Sequence, residues 1–212
     1  MNPEPTATRP IRCTTCAQPL ESPICCTSCG ELNAEPIGRC SYFELFGLPV
    51  AFDLDEKDLH HRYLSLTRSI HPDIAGQASE ARHRSALAIS SEMNHAYETL
   101  RDAVLRAEYL LNLAGEEPGQ DSRSAPPELL GEVMMLREEI EEAQHAADKT
   151  ALNGIRQQVA ERQRRCRDAI VALARSLTDY KPETRRDLRQ QLNAYKYWRN
   201  LTDRMLPGGD AA

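Results

Sequence analysis

From Leu59 to Ile70 the apolar residues Leu59, Tyr63, Leu66 and Ile70 recur at steps of four, three and four. That spacing lays them on one face of a helix. His61, Arg62, Ser65, Arg68 and Ser69 form the other, basic face. Pro72 ends the helix, because it lacks a backbone N–H and pushes the residue before it out of the helical region. His71-Pro72-Asp73 is thereby predicted to sit in an exposed turn. A second pattern begins near Ser79 and carries Ala86, Ile89, Met93, Ala96, Tyr97 and Leu100 towards the first stripe. The two helices form an antiparallel hairpin with the tripeptide at its tip. A short helix starts before them at Ser41, an acceptable N-cap, and stops near Gly47 and Pro49. Asp55 caps the helix that follows, with Leu54 placed to staple onto Leu59. A fourth helix is predicted over 103–113, closed by Gly115.

Residues 116–127 hold three prolines and read as a linker. Three long stripes follow. Leu129, Val133, Leu136, Ile140, Ala143 and Ala147 form the first. Leu152, Ile155, Val159, Cys166, Ile170, Leu173 and Leu177 form the second, which makes Cys166 a small buried hydrophobe rather than a ligand. After Pro182 come Leu188, Leu192, Tyr195, Trp198 and Leu201. Three amphipathic helices with short connections predict an antiparallel three-helix bundle. Leu130 and Met134 lie one turn apart beside the first stripe, and Glu138 and Glu142 continue their line. Either the buried face is wider there, or an apolar patch extended by carboxylates is left to dock a small protein.

The chain has 212 residues, 41% of them hydrophobic, with few glycines and aromatics, so an all-α protein with real cores is expected. A net charge of -6 argues against general nucleic-acid binding, which needs surplus Lys and Arg. No run is long and apolar enough to span a membrane, and residues 1–13 lack the core of a secretory signal. An intracellular protein is therefore expected, where seven cysteines point to metal rather than to disulfides. Cys13 and Cys16, then Cys26 and Cys29, form two CxxC pairs with nine residues between them. Four thiolates at that spacing favour a structural Zn2+ over an iron–sulfur or redox site. Cys25, next to Cys26, is an alternative ligand, and Cys40 is left over. So short a segment has little core of its own, so metal binding would supply most of its folding free energy.

The basic helix running into His71-Pro72-Asp73 resembles the J domain, the module by which co-chaperones activate DnaK-class ATPases. Tyr42-Phe43-Glu44-Leu45-Phe46-Gly47-Leu48 resembles its first helix, and Met93 to Leu100 the end of its third. Leu100-Arg101 and Arg106-Ala107-Glu108-Tyr109-Leu110-Leu111 resemble the HscB branch, co-chaperones of iron–sulfur cluster assembly. The likeness extends over residues 41–206. A tetracysteine extension before the J domain is similar to that of animal HscB proteins, although the loop between the pairs is shorter here. Many J domains carry a lysine where this chain has Ile74.

The resemblance implies an L-shaped, all-α co-chaperone. Its expected parts are a metal-binding tail and knuckle (1–38), a J domain (39–115), a linker (116–127), a scaffold-binding bundle (128–206) and a tail (207–212). His71, Pro72 and Asp73, with Arg62 and Arg68, would engage a DnaK/HscA-class chaperone. Leu130, Met134, Glu138, Glu142 and Tyr197 would bind the IscU-type scaffold protein, with Gly131 and Met135 departing from the family's pattern. The chain would not itself be an enzyme, since no nucleophile accompanies His71. The bacterial cytoplasm is the expected setting, with the mitochondrial matrix as the alternative. A general J-domain co-chaperone delivering unfolded clients is the rival reading, and oligomeric state stays open.

Overall fold

The computed structural model describes residues 12–13, 15–26, 28–70, 80–115, 126–179 and 181–205. His71, Pro72, Asp73 and most of the linker lie outside the described residues. The helices are α1 (Tyr42–Leu45), α2 (Glu56–Ile70), α3 (Glu80–Arg101), α4 (Ala103–Leu113), α5 (Pro127–His145), α6 (Lys149–Arg175) and α7 (Pro182–Arg204). Among the described residues, β pairing is limited to isolated bridges in the cysteine segment. The chain divides into two compact units, Met1–Asp102 and Ala103–Ala212.

In the first unit, local chemistry sets the helix starts. The Ser41 hydroxyl accepts from the Glu44 N–H, and the Glu44 carboxylate accepts from the Ser41 N–H at 2.7 Å, a reciprocal capping box. Asp55 accepts from the backbone N–H of Lys57 (2.9 Å) and Asp58 (3.3 Å) and so caps α2. Helices α2 and α3 then pack together. Leu59, Leu66 and Ile70 are buried on one side, and Ala86, Ile89, Met93, Ala96 and Leu100 on the other. Along the rim of that seam Tyr63 stacks on Tyr97, with ring centroids 4.2 Å apart and planes 17° apart. The Tyr63 hydroxyl donates to Asn94 at 3.0 Å, and His60 Nδ1 lies 2.8 Å from the Tyr97 hydroxyl. The hairpin read from the periodicity is present.

The cysteine segment is not a free-standing appendage of this unit. Ile24 and Cys25 are almost wholly buried. The Ser22 hydroxyl donates to the Leu45 carbonyl at 2.6 Å, and the Arg82 guanidinium donates to the Gly30 carbonyl at 2.8 Å. Gly47, at φ +63°, closes α1 where a Cβ would collide with the Glu21 carbonyl. Metal binding is therefore not the segment's sole support, since it is also tied to the α1 turn and to α3.

In the second unit, α5, α6 and α7 pack on one another around Val133, Leu136, Ile140, Ala143, Ile155, Val159, Trp198 and Leu201. Cys166 packs half-buried against this core, and burial raises its pKa. Ala147 does not continue the first stripe, as the periodicity had it. It follows the end of α5 at φ +53°, with the Ala147 N–H donating to Gln144 O and the Asp148 N–H to Ala143 O. Those two bonds define a Schellman turn with alanine in the left-handed position that glycine usually takes. Asp148 then caps α6 through the N–H groups of Thr150 and Ala151, both at 2.9 Å.

By its contacts helix α4 falls in this second unit. Glu108 receives Lys196 at 2.6 Å and Arg189 at 3.5 Å, and Arg189 also donates to Asn112 at 3.0 Å. With Arg189 only 4% exposed, those two partners supply the charge and acceptor that its burial requires.

Candidate metal centre and docking surfaces

The two CxxC loops share their backbone hydrogen bonds. In the first loop the Ala17 N–H donates to Cys13 O and the Cys13 N–H to Gln18 O, both at 2.9 Å. The second repeats the pattern, with Gly30 N–H to Cys26 O at 2.8 Å and Cys26 N–H to Glu31 O at 2.9 Å. Each loop turns through a left-handed residue directly after its second cysteine, Ala17 at φ +57° and Gly30 at φ +72°. Glycine takes that conformation freely, and the equivalent place of Ala17 in the first CxxC loop is the signal that it does the same.

These twin loops bring the Sγ atoms of Cys13, Cys16, Cys26 and Cys29 within 4.8 Å of one another. Cys13 meets Cys29, and Cys16 meets Cys26, at 3.5 Å. Four sulfurs bound tetrahedrally to zinc at about 2.3 Å stand roughly 3.8 Å apart, so the cluster fits such an ion with small adjustments. The N–H of Cys29, with that of Ser28, holds the Cys26 thiol down at about 6. The N–H groups of Cys16 and Thr15 likewise lower Cys13. The Glu31 N–H pulls Cys29 downward too, but desolvation and the other three thiols push it up to about 12. One thiolate per loop thus forms readily while its neighbours resist, a conflict that a divalent cation relieves. Cys25 stays outside the cluster, 1% exposed, its pKa raised by burial. Cys40 also lies outside it, half-buried.

The expected chaperone-facing residues divide. Arg68 is exposed on α2. Arg62 is committed within the molecule, donating to Asp58 Oδ2 (2.9 Å) and to the carbonyls of Phe46 (3.1 Å) and Gly47 (3.2 Å). It ties the end of α1 to α2. On α5, Leu130 is 38% and Met134 61% exposed, and Glu138 and Glu142 are exposed on the same line. Met135, 63% exposed, widens the patch. None of these three apolar side chains is packed into the bundle core. Tyr197 is half-buried against the bundle core.

Comparison with known proteins places this architecture among helical co-chaperones. Residues 125–205 match the family model described as the HSCB C-terminal oligomerisation domain. A co-chaperone protein HscB homolog of Paraburkholderia xenovorans is 37% identical over 134 residues, which is 63% of this chain and 77% of that protein. Chaperone HscB from Vibrio cholerae superposes with a TM-score of 0.64 at 33% identity, over 78% of this chain and 95% of its own. Human co-chaperone protein HscB superposes at 0.72 with 27% identity, over 92% of this chain and 96% of its own. The chain belongs to the HscB co-chaperone family. Among the described residues, no helix is long and apolar enough to cross a membrane.

Proposed function

We propose that this protein is a co-chaperone of iron–sulfur cluster assembly that couples an IscU-type scaffold to a DnaK/HscA-class chaperone. The scaffold docks on α5 through Leu130, Met134, Glu138 and Glu142, with Tyr197 contributing from α7. His71, Pro72, Asp73 and exposed Arg68 engage the chaperone and raise its rate of ATP hydrolysis, while Arg62 holds the hairpin's base. The protein performs no bond chemistry; it favours the chaperone's hydrolysis-competent state by binding to it. Cys13, Cys16, Cys26 and Cys29 hold a structural Zn2+, which supplies a cross-link between the two loops. With bacterial relatives among its matches, the bacterial cytoplasm is the setting that fits.

One observation carries the scaffold half of this reading. A helix that buries Val133, Leu136 and Ile140 leaves Leu130, Met134 and Met135 in water beside carboxylates. Keeping such residues exposed makes little sense for a core and good sense for a partner's apolar surface. Calorimetric titration with a folded scaffold and with an unfolded polypeptide tests it. The folded scaffold should bind, and Met134→Lys should weaken it at least about tenfold with unit stability unchanged. Preference for the unfolded polypeptide would favour a general J-domain co-chaperone instead.

A further inference from the structure

The second cysteine loop and the span before it are tied to the helices beside them. The carbonyl of Gly30, next to Cys29, receives the Arg82 guanidinium from the first turn of α3. Ser22 and Glu21 meet the α1 turn at Leu45 and Gly47. Ser22 and Glu21 belong to the span between the two CxxC pairs, and all three contacts come from residues 21–30. Holding both loops together at the four sulfurs restricts the shapes open to that stretch.

We propose that the knuckle is a metal-dependent clamp on the hairpin, with Arg82 as the positioning residue through which bound metal fixes the start of α3. Metal occupancy then sets how well ordered that stem is. The clamp itself is independent of the activity. Its consequence, that metal-free protein stimulates the chaperone more weakly, rests on the function proposed above.

Hydrogen exchange on the full chain tests the clamp, comparing zinc-loaded protein, protein stripped with a chelator, and a zinc-loaded Arg82→Ala variant whose zinc content is measured. Stripping should speed exchange about tenfold over Glu80–Ala86, the loss expected when a charge-assisted tie opens. Amides of Met93–Leu100 and of α6 should not change. Arg82→Ala should retain zinc and speed exchange only at the start of α3, and Arg82→Lys should restore part of the protection. Equal exchange with and without metal would overturn the clamp, as would a uniform rise throughout α2 and α3. A chaperone ATPase assay in parallel separates the two claims: no stimulation by zinc-loaded protein defeats the function and leaves the clamp standing.

Discussion

The near-repeat of the two cysteine loops allows an opposed pair of substitutions at one conformation. Ala17 and Gly30 occupy the same left-handed position, φ +57° and φ +72°, with the same flanking hydrogen bonds. A Cβ added at Gly30 would meet nothing within 4 Å, so sterics with neighbours do not enter and the backbone alone decides. A left-handed L-residue costs about 1 to 2 kcal/mol, and the unfolded freedom of glycine returns about 0.4 to 1, for a net of roughly 0.5 to 1. Because ordering these loops is part of metal binding, the difference appears in metal affinity. Ala17→Gly should tighten Zn2+ by about twofold to fivefold, Gly30→Ala should loosen it by a similar factor, and the double variant should return near the parent. Competition against a chromogenic chelator at fixed pH reads all three. A looser Ala17→Gly protein, or a Gly30→Ala protein equal to the parent, would show that the left-handed turns are not part of the metal-bound state.

The same arithmetic applies in the second unit, where Ala147→Gly should raise its melting temperature by about 2 to 4 °C in a calorimetric scan. Leu192→Ala, at a side chain with no exposure, should cost about 2 to 5 kcal/mol in urea denaturation, the range for cavities in well-packed cores. Gly47→Ala combines a left-handed alanine with a collision at the Glu21 carbonyl. It should destabilise the first unit by about 2 kcal/mol or more, read as a lower urea midpoint of the zinc-loaded protein.

Much of the fold was readable because its signals are local. Ser41, Asp55 and the apolar periods marked the helices, since a cap and a stripe depend on residues three or four apart. Ala147 shows the limit of that reading: alanine fits an apolar stripe equally well whether the chain remains helical or has left it. Arg62 was read as part of a basic face; besides Asp58 one turn away it also donates to backbone carbonyls 15 and 16 residues away, which no pattern of side chains reveals. Helix α4 was legible as a helix but its partners were not, since Glu108 finds Lys196 eighty-eight residues along the chain.

The site divides in the same way. Two CxxC pairs name four ligands because each pair is a single turn. Spacing did not choose between Cys25 and Cys26, since adjacent residues point to opposite sides, one to the hairpin and the other to the cluster. Exposure of Met134 depended on whether another helix covered α5, and that is a fact of packing. Arg82 and Ser22 carried no sequence signal at all, because their acceptors become neighbours only once the knuckle is seated.

Steady-state ATP hydrolysis by a DnaK/HscA-class chaperone, with this protein and an IscU-type scaffold added singly and together, tests the account most directly. The account predicts a rate with both present that exceeds the sum of the separate increments, lost with His71→Gln and reduced to the scaffold-free level with Met134→Lys. Purely additive rates, or stimulation that survives His71→Gln, would contradict it.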